Sequence, residues 1–149
     1  VAVCFNVIES VTQRFEGRPI PNMHDYLSPE KHPAMCMNIA FVDTLAECSP
    51  VMPDVAFNIF MLSVSPMYCQ RGLARALIRQ SIRLSGEMGI GSVVSQAVNF
   101  YAAKAFESCG FFCIKELNFN DFTYDGQTPL ANCGIHQIGK LMILHLPFM

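Results

Sequence analysis

Apolar positions divide the chain into runs with two different periods. Val1 to Ile8 is a short apolar run rich in β-branched residues, and the polar, proline-containing stretch from Glu16 to Pro33 follows it as a loop. Pro33 suits a first helical position, and Met35, Ile39, Val42 and Ala46 then recur at three- and four-residue steps until Ser49-Pro50, which predicts an amphipathic helix. Phe57 to Val64 is apolar on both parities except at Asn58 and Ser63, the pattern of an interior strand covered on both faces, and Pro66 ends it. From Gly72 to Met88 a long helix is predicted, with Leu73, Leu77, Leu84 and Met88 on one face, Arg75, Arg79 and Arg83 on the opposite one, and Gly89 and Gly91 behind it.

Ser92 to Val98 reads as the next strand. Asn99 is a good N-cap for a helix in which Ala102, Ala105, Phe106 and Cys109 share a face, and Gly110 is its C-cap. Two further strands, Phe111 to Leu117 and Ile138 to Leu146, are separated by a polar loop carrying Asp125-Gly126 and Asn132-Cys133-Gly134. The order strand, helix, strand, helix, strand, helix, strand, strand predicts a mixed sheet with helices on its faces, an α/β (α+β) arrangement.

Composition narrows the partners. With 149 residues, 52% hydrophobic and 15% charged, the chain is expected to form one packed domain over residues 1–149. A net charge of −2 gives no electrostatic reason to bind nucleic acid or an anionic membrane, so a small-molecule partner is expected. The seven cysteines, at 4, 36, 48, 69, 109, 113 and 133, contain no C-x-x-C pair, so neither a zinc site nor a disulfide framework is suggested. They read as reduced core residues of a soluble, cytoplasmic protein. No stretch reaches the roughly 18 apolar residues of a membrane helix. The opening Val1-Ala2-Val3-Cys4-Phe5 looks like the inside of a strand and not like a signal peptide, so upstream residues are expected to be missing.

The stretch that carries chemistry is Leu62-Ser63-Val64-Ser65-Pro66-Met67-Tyr68-Cys69-Gln70-Arg71-Gly72-Leu73-Ala74: an apolar strand, a short turn, then a helix start. The first amides of a helix lack intrahelical partners and sit at the positive end of the helix dipole, so this is an anion cradle that Gly72 and Ala74 leave open to a phosphate. Arg71 and Arg75 oppose the dipole unless an anion lies nearby, whereas Arg79 and Arg83 suit a solvated face. A Walker G-x-x-x-x-G-K-[ST] loop, a G-x-G-x-x-G helix opening and a G-x-S-x-G elbow are all missing from the chain.

The segment Cys69-Gln70-Arg71-Gly72-Leu73-Ala74 is similar to the [RQ]-x-x-G-x-[GA] pyrophosphate loop of the GNAT acetyltransferases. Asn99-x-x-Ala102-x-x-x-Phe106-x-x-x-Gly110-Phe111 resembles that superfamily's next motif, N-x-x-A-x-x-x-Y-x-x-x-G-F. The tail, Glu116 to Phe122, Gly134-Ile135-His136 and Leu141-Met142, resembles the arthropod arylalkylamine N-acetyltransferase branch. The resemblance implies a GNAT-like mixed central sheet flanked by helices, with the first strand and helices missing. It implies acetyl-CoA as cosubstrate and a small primary amine as acceptor, acetylated by direct attack on the thioester. The backbone of Leu62, Ser63 and Val64 would pair with the pantetheine arm, the amides of Gln70, Arg71, Gly72, Leu73, Ala74 and Arg75 would hold the pyrophosphate, and Asn99 would bond the arm.

Three departures bear on catalysis. Cys69 stands where the family pattern has Arg or Gln, removing one polar anchor of the loop. Phe106 stands where many members carry the Tyr that protonates the leaving thiolate, and Phe has no proton to give, so Tyr101 or water would substitute. The branch's glutamate base belongs to elements ahead of the strand matching Val1 to Ile8. His136 matches a step near the family's acceptor site and its chemistry suits a base or relay, which makes His136 and Tyr101 the catalytic candidates. His24, His32 and His145 share no metal-like spacing. A catalytically silent CoA-binding chain and a purely structural domain are the alternative readings.

Overall fold

The structure, a computed structural model, describes residues 1–10, 26–47 and 53–147. Residues 16–25 of the expected loop, His24, Cys48 and the expected helix end at Ser49-Pro50 lie outside them. Along the described residues run β1 (Ala2–Ser10), α1 (Pro33–Ala46), β2 (Val55–Val64), α2 (Leu73–Glu87), β3 (Ser92–Ala97), α3 (Phe100–Glu107), β4 (Phe112–Asn118) and β5 (Ile138–His145). The strands form one mixed sheet in the order β1-β2-β3-β5-β4, in which β2 and β3 are the parallel pair and the other neighbours are antiparallel. α2 is the crossover that a parallel pair requires.

Successive strand residues point to opposite faces, and the core divides accordingly. Val93 and Met142 join Phe57, Ile59, Ile78, Ala103, Phe106 and Phe111 under α2 and α3. Their neighbours Val94 and Ile143 pack with Ala56, and Leu141 packs with Phe41 and Leu45 of α1, on the other face. α1 therefore covers β3, β4 and β5 from one side while α2 and α3 cover the sheet from the other.

Two helical faces differ from those the periodicity predicts. In α2 the buried residues are Ile78, Ser81 and Ser85, whereas Leu84 and Met88 are exposed and Leu73 and Leu77 are only partly buried. Hydroxyls are accepted in this interface because each has a partner: Ser81 Oγ donates to Asn6 Oδ1 at 3.1 Å and Ser85 Oγ to the Ile90 carbonyl at 2.7 Å. Their small side chains let the helix lie close to β1 and β3. In α1 the buried stripe is Cys36, Phe41 and Leu45, one position away from the predicted set, and Met35 is exposed. Phe41 decides this rotation, since its ring meets both Phe119 and Phe122 edge-on at 5.1 Å between centroids.

β2 also departs from expectation. Ala56, Phe57, Asn58 and Ile59 are buried, but Val55, Phe60, Met61 and Ser63 are exposed and Leu62 and Val64 are only partly buried. The register with β1 shifts between Phe5 and Asn6, with Phe60 as the extra residue of β2. The Asp125-Gly126 turn forms as its sequence predicts: Tyr124 and Gln127 exchange both backbone bonds, and both central residues have positive φ, 50° and 73°.

Candidate active site

A gap opens in the middle of this sheet. β2 stays paired with β1 along its whole length and β3 with β5 along its own, yet β2 and β3 pair only at Phe57 with Val93 and Asn58 with Val94. Past that point the two halves of the sheet diverge. Ser95 sits at the fork, where its buried Oγ donates to the Ile59 carbonyl at 2.9 Å in place of a strand neighbour. Beyond it the cleft edge of β2, including Leu62, Ser63 and Val64, presents peptide groups with no strand opposite, a template for an extended polar chain.

Both strands flanking the cleft lead into helices. β2 passes through a 3₁₀ turn, Pro66–Tyr68, and then Gln70 and Gly72 adopt positive φ, 62° and 77°. Gly72 is the N-cap of α2, its carbonyl accepts the first intrahelical bond from Ala76, and the amides of Leu73, Ala74 and Arg75 have no helical acceptor. A β-carbon at Gly72 would meet nothing within 4 Å, so the cradle is open to an anion's approach. Arg71 lies beside it with its guanidinium 5.2 Å from the centre of the Tyr68 ring, and Arg75, Arg79 and Arg83 are exposed. Cys69 is exposed, and its thiol reaches the Ser65 carbonyl at 3.6 Å.

β3 ends at Ala97, and Asn99 caps α3 by accepting the Ala102 amide at 2.8 Å. The capping oxygen is occupied, which leaves the Asn99 carboxamide NH₂ as the group it can offer a ligand. Tyr101 is exposed, and its ring lies 5.9 Å from that of His136 and 5.7 Å from that of Phe100. His136 Nδ1 accepts the Phe100 N–H at 3.2 Å. In the neutral ring Nε2 then carries the hydrogen, which leaves His136 a donor at that nitrogen. Phe106 is 2% exposed and packs on Phe111 at 5.0 Å, so its position is part of the core. His145 bonds Ser92 Oγ at 3.1 Å across the β3–β5 ladder, a structural pairing.

The structure thus brings the Leu62–Val64 strand end, the Gln70–Arg75 turn and Asn99 to one end of the sheet, with Tyr101 and His136 together beside Asn99. Sequence reasoning passed over Ser95 and Phe100. Ser95 shares β3 with two other polar residues, Ser92 and Gln96, so residue type did not single it out, and the role of Phe100 lies in its backbone amide and leaves no mark on residue type. Among the described residues no group of three or more His, Cys, Asp and Glu could hold a metal ion, and no helix is long and apolar enough to cross a membrane.

Sequence comparison agrees with this geometry. The model of the acetyltransferase (GNAT) family matches residues 23–111, more than half of the chain. The chain belongs to the GNAT acetyltransferase family. It is by that membership an acyltransferase, of a family that uses acetyl-CoA. No curated protein matches it in sequence. Among solved structures it is similar to a mosquito arylalkylamine N-acetyltransferase-like 5b, with a TM-score of 0.74 and 18% identity over 98% of this chain and 68% of that one. Arylalkylamine N-acetyltransferase 2 from Aedes aegypti superposes with a TM-score of 0.76 and 19% identity over 97% and 67% of the two chains. The polyamine N-acetyltransferase of Drosophila melanogaster gives 0.73 and 17% over 98% and 69%. At these identities the likeness establishes a shared GNAT fold, the mixed α/β sheet flanked by helices expected from the chain's patterning.

Proposed function

We propose that the chain transfers an acetyl group from acetyl-CoA to a small primary amine, an arylalkylamine or a relative of one. The observation that carries this reading is the divergence of β2 from β3, with an open helix N-terminus at the end of β2. The cleft edge of Leu62, Ser63 and Val64 is suited to pairing with the amides of a pantetheine arm, and the amides from Gln70 to Arg75, with Arg71, suit a pyrophosphate. Asn99 offers its NH₂ to the same arm from the opposite wall.

Acetyl-CoA supplies the acetyl group as a thioester: the new C–N bond forms as the C–S bond breaks, the thiolate leaves and gains a proton, and the amine nitrogen gives one up. The amine must attack unprotonated, and free alkylammonium groups have pKa values of about 10, as for lysine. The chain's own contribution is therefore placement, with two bonded walls and a helix dipole at one end of the cleft. Tyr101, exposed beside Asn99, or water would give the thiolate its proton. Burial of Phe106 favours the second reading, a CoA-binding chain without turnover.

Calorimetric titration with CoA tests binding, and acetylation assays with tyramine and spermidine separate the two readings. Gly72→Glu should abolish CoA binding by placing a carboxylate in the cradle, while Gly72→Asn, which tolerates the left-handed backbone, serves as the conformational control. Unchanged affinity in a folded Gly72→Glu protein would remove the cradle from the site.

A further inference from the structure

The peptide groups of successive strand residues point alternately to the two edges, so two bonds on opposite edges of β2 fix which residues face the cleft. The Ile59 carbonyl points to the β3 edge, where it accepts from Ser95 Oγ at 2.9 Å. The Ser65 N–H points to the other edge, where it donates to the Val1 carbonyl at 2.8 Å. An uninterrupted strand would send Ile59 and Ser65, an even number of residues apart, to the same edge. Phe60 is the residue that reverses them, because the register with β1 passes from Asn6 opposite Ile59 directly to Phe5 opposite Met61. Counting back from Ser65, Val64 and Leu62 turn both of their peptide groups into the cleft, whereas Ser63 and Met61 turn theirs toward β1.

Ser95 acts where this phase is set. The last residues of β2 and β3 to pair are Asn58 and Val94, and the next acceptor on that edge of β2 is the Ile59 carbonyl. A backbone amide of β3 meeting this carbonyl would carry the ladder onward and close the cleft. Ser95, the residue after Val94, meets it with a side chain instead. Ser95 is 3% exposed and Ile59 2%, so bulk water does not reach this carbonyl in place of the hydroxyl. The buried acceptor is thus satisfied while the two backbones separate.

We propose that Ser95 is a positioning residue for the acetyl donor: its hydroxyl, with the bulge at Phe60, ends the β2–β3 ladder at Ile59 and leaves the peptide groups of Leu62 and Val64, and not those of Ser63, to pair with the pantetheine arm. Ser95 acts through Ile59, and its role rests on the acetyl-CoA reading.

The test compares CoA with 3′-phosphoadenosine 5′-diphosphate, which has the pyrophosphate but lacks the arm. Ser95→Thr and Ser95→Val have side chains of similar size that differ in the hydroxyl, and Ser95→Ala repeats the comparison without added bulk. In calorimetric titration Ser95→Val and Ser95→Ala are expected to bind CoA about tenfold more weakly than wild type, the size of one hydrogen bond, and the armless ligand as wild type does. Ser95→Thr should bind both ligands as wild type does. By NMR, amide exchange in the free wild-type chain should be slow at Met61 and Ser63 and fast at Leu62 and Val64, and CoA should slow the second pair. Wild-type CoA affinity in Ser95→Val and Ser95→Ala, equal loss of both ligands, a Ser95→Thr chain as weak as Ser95→Val, or Leu62 and Val64 still fast with CoA bound overturns the proposal. Failure of the wild-type chain to bind CoA at all overturns the acetyl-CoA reading instead, and the role of Ser95 falls with it.

Discussion

Gly139 on β5 is where α1 comes closest to the sheet, and adding a single methyl group there tests how α1 is held. A β-carbon built on Gly139 would lie 2.5 Å from Phe41 Cε1 and 2.6 Å from Cζ, well inside contact distance. The ring has nowhere to go: Phe41 is 2% exposed and is fixed edge-on between Phe119 and Phe122. Overpacking of a tight core costs about 1–3 kcal/mol, so Gly139→Ala should destabilise the protein by about 2 kcal/mol. For a chain of this size that corresponds to a fall in Tm of about 4–8 °C. Urea denaturation would show a lower midpoint with an unchanged slope. The cause is isolated by a double-mutant cycle with Phe41→Leu, whose smaller side chain makes room for the methyl. The substitution should cost at least about 1 kcal/mol less in the Gly139→Ala background than alone. Additivity within about 0.5 kcal/mol, or a wild-type midpoint for Gly139→Ala, would refute the proposed contact.

Three further outcomes follow from named contacts. Ser95→Ala strands the buried Ile59 carbonyl at the fork of the sheet and should cost about 1–3 kcal/mol by thermal melting, with CoA affinity reduced as β2 and β3 lose their anchor. Lys115 donates from β4 to the Thr44 and Glu47 carbonyls at the end of α1, so Lys115→Met should lose about 1–2 kcal/mol and speed amide exchange in the last turn of that helix. Glu107, hydrogen-bonded by Lys104 and Lys140, is held below the ordinary carboxyl value, and Lys140, hydrogen-bonded by Glu107, above the ordinary lysine value. The stabilisation is therefore complete between those ordinary values, lost as pH falls through the lowered Glu107 value and lost as pH rises through the raised Lys140 value. With both groups partly solvated, Glu107→Gln should cost about 1 kcal/mol or less at neutral pH, and a stability gap from wild type that persists in strong acid would refute the pairing.

What could be read from residue order was local. Asn99 as an N-cap, Asp125-Gly126 as a turn and the Gly72 helix start depend on a few consecutive residues, and each lies where its chemistry required. The buried face of α2 escaped because it contains Ser81 and Ser85, which periodicity counts as polar. They are core residues only because Asn6, 75 residues away from Ser81, and the Ile90 carbonyl receive their hydroxyls. The bond between His136 and Phe100 spans 36 residues and uses a backbone amide, so no side-chain pattern records it.

The cleft itself was hidden for a related reason. An apolar run from Phe57 to Val64 looks the same whether strands flank it throughout or leave it halfway. The difference lies in a register shift opposite Phe5 and Asn6 and in one hydroxyl on β3, both products of pairing between distant segments. Half-exposed Phe60 and Met61 then mark the stretch of β2 whose neighbour in the sheet is missing. A strand that keeps its apolar sequence after losing a strand neighbour retains unpaired backbone groups on that edge, and these must be met by water or by a bound chain. The diverging sheet is therefore the strongest physical argument for a ligand between β2 and β3, because only an extended molecule with its own amides can restore the ladder along Leu62, Ser63 and Val64.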